Sequence, residues 1–207
     1  NLKNITIPDQ LSELITHTVL KRVHPIVDIL NLTMLATGQS AHAYDADLLS
    51  SLLVKTVTKK QAFEALDGQQ YLLQKGDVVT TDGHDVLALA GIIGARAGAV
   101  SFNTKRIAIE LATFAPEPIA RTSIRLNLQT ASSLRFRRGA DTANIDRALG
   151  YLIVLLQKIG ASIEGYETIK GPVPKKAIPF HPDAINALLG TRIRESRMRI
   201  ALKRIGC

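Results

Sequence analysis

The stretch Gly38–Asp45, with the sequence GQSAHAYD, follows an apolar run at residues 26–36 that is typical of a buried helix. Gly38 stands where a glycine commonly ends a helix, because glycine adopts the left-handed backbone conformation at little steric cost. Directly after this point the chain presents His42, Tyr44 and Asp45. The pattern therefore predicts a helix that ends at Gly38 and a cluster of polar side chains immediately after it.

A second polar residue lies in an unexpected place further along the chain. Glu110 interrupts the apolar segment Ile107–Ala112, which otherwise has the composition of a buried strand. A buried carboxylate needs either water or a dedicated hydrogen-bond donor, so His42 and Glu110 together suggest a pocket with one imidazole and one carboxylate. The alternative stays open at this point: His42 can be a structural histidine, and Glu110 can face water.

Length and composition limit the class of protein. The 207 residues are 46% hydrophobic, which is enough to form a globular core. No apolar run approaches the ~20 residues that a membrane span needs. Cys207 is the only cysteine, which excludes an internal disulfide framework or a cysteine-rich metal site and fits a reducing cytoplasm. The chain begins at Asn1 without a signal-peptide pattern, so we expect a cytoplasmic fragment of a longer protein.

The net charge of +8 is concentrated in two blocks. Residues 121–138 contain five arginines and no acidic residue, and residues 175–207 contain eight basic and two acidic residues. Residues 1–120 carry a net charge of −2. Such basic blocks suit a polyanion, and nucleic acid is the usual one. The alternative for each block is a solvated helix face.

The order of the patterns predicts an α+β fold with a mainly antiparallel β core and flanking helices. The strand patterns follow one another with short turns between them, which favours antiparallel pairing, and Asp67-Gly68 indicates a hairpin. The predicted strands are residues 52–57, 63–66, 70–73, 77–81, 86–90, 107–113 and 161–169. The predicted helices are residues 9–19, 27–35, 116–126, 141–159, 182–189 and 194–205, with a loop or short strand at residues 130–136.

A proline- and glycine-containing linker is predicted at residues 171–176, which have the sequence GPVPKK. We therefore expect one module over residues 1–174. Residues 175–207 are expected to be the start of a small, basic helical module, with its two helices separated at Gly190. Because this second part has few apolar positions, it is predicted to be a truncated, partial module.

Several motifs in a fixed order resemble the β subunit of bacterial phenylalanyl-tRNA synthetase. GQxxHAYD at residues 38–45 is similar to a motif of that family, and Val27–Asn31 is similar to its Val-Asp-x-Thr-Asn. AGIIG at residues 90–94, IELATF at 109–114 and RFRRGAD at 135–141 follow in the family's order and spacing. The resemblance covers roughly residues 20–170 as the editing module, and residues 176–207 resemble the start of the helical module that follows it.

The resemblance implies hydrolytic editing, in which tyrosine wrongly esterified to phenylalanine tRNA is removed. A site that hydrogen-bonds the tyrosine hydroxyl can reject phenylalanine strongly, because phenylalanine would leave its polar groups unpaired. No position matches a nucleophile, so the resemblance implies attack by an oriented water and catalysis by positioning. The implied pocket residues are His42 and Glu110 for the hydroxyl, Gly91 and Asn31 in the pocket wall, and Thr130 and Ser132 at its mouth.

The resemblance also implies partners and cofactors. The expected partners are tRNA and the synthetase α subunit, and no membrane is involved. No cofactor or metal is expected in this part of the protein, whereas ATP and magnesium are expected for the whole synthetase. The residues that we expect to contact RNA phosphates are Arg121, Arg125, Arg197, Arg199, Lys203 and Arg204.

Four positions depart from the family's pattern. Leu30 stands where the family has a threonine, and Arg96 ends a Gly94-Ala95-Arg96 sequence where the family has Gly-Gly-Glu. Arg137 occupies an acidic position, and Ser132 occupies the place of the small residue at the pocket mouth. Leu30 and Arg96 favour the alternative of a non-catalytic scaffold for tRNA binding or subunit assembly with a degenerate pocket. A free-standing hydrolase is disfavoured by the second module.

Overall fold

The helix predicted before Gly38 is present in the computed structural model, which describes residues 2, 5–18, 22–169, 171 and 177–206. It covers Pro25–Thr37, and Nδ1 of His24 caps its start by accepting a hydrogen bond from the Ile26 N–H. Gly38 ends the helix with a φ of +77°, and its N–H donates to the carbonyl oxygen of Met34 over 2.8 Å. The left-handed conformation at this position is the reason that glycine suits it.

The described residues contain seven α-helices and eight β-strands. The helices are α1 (Asp9–Thr16), α2 (Pro25–Thr37), α3 (Pro116–Arg125), α4 (Ala131–Phe136), α5 (Ile145–Lys158), α6 (Pro182–Leu189) and α7 (Glu195–Arg204). The strands are β1 (His42–Asp45), β2 (Leu53–Thr56), β3 (Gln61–Glu64), β4 (Gln70–Leu73), β5 (Val78–Thr81), β6 (Val86–Leu89), β7 (Ile93–Gly94) and β8 (Ile107–Glu110). No helix in this part of the chain is long and apolar enough to cross a membrane.

The strands form three antiparallel sheets, and this confirms the predicted α+β class. β1 pairs with β8, β3 pairs with β4, and a four-stranded sheet has the order β2-β5-β6-β7. The predicted hairpin is present, with Gly68 at a φ of +79° and Oδ1 of Asp67 accepting from the Gln69 N–H. Short turns explain the antiparallel pairing of β3 with β4, of β5 with β6 and of β6 with β7, whereas the β1–β8 and β2–β5 pairs join strands that are distant in sequence.

The two larger hydrophobic clusters of the described residues involve different elements of the fold. In the first, α2 packs against α5, with Ile29 and Leu152 almost completely buried. In the second, residues of the four-stranded sheet and of the β3–β4 hairpin pack against α3, with Val79 and Ile119 buried. Leu30 belongs to the first cluster, so this departure from the family's pattern is a core residue.

The loop or strand predicted at residues 130–136 is wrong, because this segment is the helix α4 with Thr130 as its N-cap. Thr130 Oγ1 accepts from the Ser133 N–H over 3.0 Å, and Ser133 Oγ accepts from the Thr130 N–H over 2.9 Å. This is a capping box in which serine takes the place of the usual glutamate or glutamine. Six helical residues are too few to show a helical period in the sequence.

The strand predicted at residues 161–169 is also wrong. The structure has no strand there: Ala161 is buried, and the residues that follow it to Ile169 are exposed. Apolar residues such as Ile163 and Ile169 therefore form no inward-facing row. Of the predicted linker at residues 171–176, all positions except Gly171 lie outside the described residues.

The chain divides into two compact units, Asn1–Ile169 and Lys170–Cys207. In the second unit, Gly190 ends α6 in the left-handed conformation. The side chain of Asn186 then organises the turn to α7, because its Oδ1 accepts from the Ile193 N–H and from the Thr191 hydroxyl. The two helices and the break at Gly190 confirm the elements predicted for this part of the chain.

A buried carboxylate attaches α3 to the turn before β5. Asp77 Oδ1 accepts from the Thr122 hydroxyl over 2.7 Å, and its Oδ2 accepts from the Gln74 N–H and from the guanidinium of Arg125. Arg121 adds a hydrogen bond to the carbonyl oxygen of Gly76. With Asp77 only 3% exposed, this network satisfies a charge that would otherwise be costly to bury.

We predict that Asp77→Ala lowers the free energy of unfolding by about 3 kcal/mol, because it leaves the Thr122 hydroxyl unpaired and removes the partner of Arg125. Urea titration of the 207-residue chain measures this change. Asp85→Ala is the control, since Asp85 is exposed in the β5–β6 turn and its loss is expected to change stability by less than ~0.5 kcal/mol. Equal effects of the two substitutions would contradict the role of Asp77.

Candidate functional site

A cavity of about 130 Å³ lies beside the β1–β8 pair and the turn that joins β6 to β7. A closed apolar cavity of ~150 Å³ is large enough for a benzene ring, so this space suits one aromatic ring. Its wall is mostly apolar, with a few polar groups, as is usual for small-ligand sites. The polar side chains of the wall are those of Ser40, His42, Tyr44, Glu110 and Ser132.

Glu110 is the charged residue of this wall. Its Oε2 accepts hydrogen bonds from the hydroxyl of Tyr44 over 2.8 Å and from Oγ1 of Thr80 over 3.0 Å. Burial raises the pKa of Glu110, while the two hydrogen bonds act in the opposite direction. Both donors bind the same oxygen, Oε2, so Oε1 remains available to accept a hydrogen bond from a ligand.

The two donors are themselves held firmly. Tyr44 is 1% exposed, and burial raises its pKa, so it stays a protonated donor. Thr80 is completely buried on β5, where the register with β6 shifts between Thr80 and Thr81. From this sheet the side chain of Thr80 reaches Glu110 on β8.

His42 is the cross-strand neighbour of Glu110, in register across the β1–β8 pair. Burial lowers its pKa to about 4, so the imidazole is neutral at pH 7. Its ring meets the ring of Tyr44 edge-on, with the centroids 4.6 Å apart. A neutral imidazole has one donor and one acceptor nitrogen, which lets it pair with a hydroxyl group.

Glycine at two positions leaves room for neighbouring side chains of the cavity wall. A Cβ on Gly94 would lie 2.6 Å from Cε1 of His42, so the absence of a side chain there admits the imidazole. Gly91 has a φ of +66°, and a Cβ on it would lie 2.9 Å from the ring of Phe136 and 3.0 Å from that of Phe114. These two phenylalanines pack edge to face and form the aromatic side of the cavity.

The sequence-predicted pocket residues divide into two groups. His42, Glu110, Gly91 and Ser132 line one cavity. Thr130 lies behind the wall, where its hydroxyl donates to the carbonyl oxygen of Ile92 over 2.7 Å and so holds the β6–β7 turn. Asn31 is half-buried on α2 and is not part of the wall. The roles predicted for these side chains in substrate binding remain predictions.

Sequence reasoning did not select four residues that the structure places at the site: Ser40, Tyr44, Thr80 and Gly94. Tyr44 and Ser40 lie within the quoted stretch GQSAHAYD, and their alternation with His42 was the available signal, because alternate residues of an extended segment share one face. Thr80 carried no signal, since it contacts Glu110 from a different sheet and is distant from it in sequence.

The basic residues predicted to bind RNA differ in what they contact. Arg121 and Arg125 make the internal hydrogen bonds that attach α3 to the β4–β5 turn. In the second unit, Arg199 pairs with Glu195 and lies over the ring of Phe180. The remaining predicted residues are exposed on α7, namely Arg197, Lys203 and Arg204. RNA binding by all six remains a prediction.

The wall does not resemble a metal site. Within the part of the chain that the structure describes, no group of three or more histidine, cysteine, aspartate or glutamate side chains could hold a metal ion. The fold and the cavity together define an α+β domain with a mostly apolar cavity that is lined by two phenylalanines and a buried carboxylate.

Comparison with known proteins assigns this domain to a family. The B3/4 domain model matches residues 1–161, so the chain belongs to the B3/4 domain family. The chain is 38% identical to the phenylalanine–tRNA ligase beta subunit of Geobacter sulfurreducens over 188 residues. The aligned region covers 87% of this chain and 23% of that protein. The chain is 31% identical over 215 residues to the same subunit of Latilactobacillus sakei, covering 99% of this chain and 27% of that protein.

A third relative gives the same assignment. The phenylalanine–tRNA ligase beta subunit of Tropheryma whipplei is 34% identical over 197 residues, which cover 91% of this chain and 20% of that protein. The chain therefore spans about a quarter of the length of the curated relatives that it matches. The family resemblance drawn from the motifs is confirmed.

We predict that His42 makes the stability of the domain depend on pH between 6.5 and about 4. Because the folded state holds His42 neutral in this range while the unfolded chain takes up a proton, stability falls as the pH falls, by up to about 3 kcal/mol. His24, whose pKa is also lowered by burial, contributes to the same range. Thermal unfolding at pH 4.5 to 7.5 measures the dependence, and His42→Gln is expected to make it shallower.

The control is His84→Gln, since His84 is exposed in the β5–β6 turn. This change is expected to leave the pH dependence as it is in the unsubstituted chain. If His42→Gln had the same pH dependence as the unsubstituted chain, the buried, neutral state of His42 would be contradicted.

Proposed function

We propose that this domain edits aminoacyl-tRNA by hydrolysing tyrosine that has been esterified to phenylalanine tRNA, as part of a phenylalanine–tRNA ligase beta subunit. The observation that supports this function best is the carboxylate of Glu110, which is held by Tyr44 and Thr80 through one oxygen and borders a cavity of the size of one aromatic ring. The similarity to beta subunits of that ligase makes an aminoacyl ester the natural ligand.

The geometry suggests how tyrosine is distinguished from phenylalanine. The two side chains have the same ring, which the rings of Phe114 and Phe136 and the backbone at Gly91 can contact equally well. Only tyrosine supplies a hydroxyl that can donate to Oε1 of Glu110 and pair with His42. Phenylalanine would remove water from the buried carboxylate without replacing its hydrogen bond, which is unfavourable.

The hydrolytic step in this proposal uses water. The oxygen of a bound water attacks the ester carbonyl carbon, the bond from that carbon to the ribose oxygen breaks, and the ribose oxygen takes up a proton. No side chain of the wall is proposed as a nucleophile. The domain contributes by fixing the ester in one orientation, and positioning of this kind accounts for a substantial part of many catalytic effects.

Partners and cofactors follow from the same proposal. The chain would act together with the synthetase α subunit, with ATP and magnesium serving an aminoacylation site elsewhere in the enzyme. Phosphates of tRNA would meet the exposed basic residues of α7, including Arg197, Lys203 and Arg204. Arg121 and Arg125 would contribute through their position on α3 while keeping their internal hydrogen bonds.

We predict that Glu110→Ala in the full-length synthetase lowers deacylation of tyrosyl-tRNA by roughly ten- to a hundredfold, because a charged hydrogen bond contributes about 1.5–3 kcal/mol. Aminoacylation with phenylalanine is expected to stay unchanged. Deacylation of phenylalanyl-tRNA is expected to stay the same or rise, since the buried carboxylate no longer penalises a ring without a hydroxyl. Single-turnover deacylation of both esters measures these rates.

Two further variants separate recognition from stability. Glu110→Gln keeps an oxygen acceptor for Tyr44 and Thr80, so it is expected to preserve the melting temperature and still reduce tyrosine clearance. Glu117→Ala is the matched control, because Glu117 is exposed on α3. Equal losses on both esters, together with a lowered melting temperature, would assign Glu110 a structural role. A synthetase that clears neither ester before substitution would favour the non-catalytic scaffold.

A further inference from the structure

One buried hydroxyl in the cavity wall has no hydrogen-bond partner. Ser40 is 5% exposed and lines the cavity, and its Oγ is the one buried side-chain nitrogen or oxygen atom among the described residues that makes no hydrogen bond. Buried polar groups in folded proteins are nearly always paired, and an unpaired one lowers stability. An unpaired hydroxyl at the edge of a ligand cavity is therefore a feature that a ligand would satisfy.

The backbone around Ser40 is fixed, so the position of its side chain is defined. The Nε2 of the buried Gln39 donates to the carbonyl oxygen of Ala112 over 2.7 Å and to that of Ser40 over 3.2 Å. The first of these hydrogen bonds ties the segment before β1 to the segment after β8, and the second holds the backbone at Ser40 itself. Rotation about one bond, χ1, is all that the Ser40 hydroxyl needs in order to change its direction.

The cavity has two polar ends, one at Ser40 and the other at Tyr44 and Glu110. Ser40, His42 and Tyr44 all line the wall, as expected for alternate residues of an extended segment. Tyr44 contacts Glu110 at one end. Ser40 lies two residues before His42, the first residue of β1, on the side away from Tyr44, and two residues of extended chain span at most about 7 Å.

This separation matches the length of an aminoacyl group. In tyrosine, the phenol oxygen and the Cα atom are roughly 6–7 Å apart by standard covalent dimensions. A ring with its hydroxyl at Glu110 and His42 therefore brings the amino and ester groups on Cα to the level of Ser40. Serine suits either group, because its hydroxyl can donate to a carbonyl oxygen or accept from an amino group.

We propose that Ser40 is a ligand-binding residue whose hydroxyl contacts the polar groups on Cα of the bound aminoacyl ester, at the opposite end of the cavity from Glu110. The proposal rests on the proposed function, because it takes the ligand to be an aminoacyl ester. It assigns the two ends different tasks. Glu110 selects the side chain, whereas Ser40 binds the part that tyrosine and phenylalanine share.

The test is Ser40→Ala in the full-length synthetase, with tyrosyl-tRNA and phenylalanyl-tRNA as the two esters. Both deacylation rates are expected to fall by the same factor, about three- to tenfold, which is the effect of losing one neutral hydrogen bond. The ratio of the two rates is expected to stay constant. The melting temperature is expected to stay the same or rise, since the removed hydroxyl makes no hydrogen bond within the protein.

Ser133→Ala is the matched control for stability. Ser133 is also buried, but its hydroxyl accepts from the Thr130 N–H and donates to backbone carbonyl oxygens, so its removal is expected to lower the melting temperature. Unchanged rates for Ser40→Ala would overturn the proposal, as would a lowered melting temperature with equal losses, which would show that Ser40 only braces the wall. A changed ratio of the two rates would place Ser40 at the ring end and overturn it as well.

The failure of this proposal is distinguishable from the failure of the proposed function. If the unsubstituted synthetase clears tyrosyl-tRNA and Ser40→Ala clears it equally fast, the role of Ser40 is wrong and the editing function stands. If the unsubstituted synthetase clears neither ester, the editing function is wrong, and the role of Ser40 that rests on it is overturned with it.

Discussion

The pair of hydrogen bonds from Tyr44 and Thr80 to Oε2 of Glu110 is the interaction on which the site depends. These bonds allow a carboxylate to remain in an apolar strand, and they fix which of its oxygens can meet a ligand. They also connect separate parts of the fold, because Tyr44 lies on β1, Thr80 on β5 and Glu110 on β8. The β1–β8 pair and the four-stranded sheet must therefore be correctly placed before the cavity can exist.

Several features of this site lower the stability of the folded protein. Burial raises the pKa of Glu110, lowers that of His42 and leaves the hydroxyl of Ser40 without a partner. The space at Gly94 is kept open for an imidazole. Groups that are unfavourable for folding and that gather at one cavity are typical of functional sites, where pKa values are shifted by burial and neighbours. The rest of the unit supplies compensating stability, chiefly through its two larger hydrophobic clusters.

Local patterns predicted much of the fold, and contacts between distant segments explain what they missed. The end of α2 at Gly38 and the hairpin at Asp67-Gly68 depend on residues that are neighbours in sequence, so both were predictable. The need of Glu110 for a partner followed from its apolar surroundings, but Thr80 as that partner lies on β5 in a different sheet, which no local pattern indicates. Leu30 was expected to alter the pocket because a resemblance aligns positions without showing which face of α2 each one occupies. It lies in the core.

The central claim is that the cavity binds a tyrosyl group through Glu110, and a crystal structure of the full-length synthetase with a non-hydrolysable tyrosyl ester analogue tests it most directly. The account predicts that the ring lies in the cavity whose wall includes Gly91, Phe114 and Phe136. It predicts the phenol oxygen within ~2.6–3.2 Å of Oε1 of Glu110, a normal hydrogen-bond distance. An analogue bound elsewhere on the enzyme, or bound in the cavity with its phenol oxygen away from Glu110, would contradict the account.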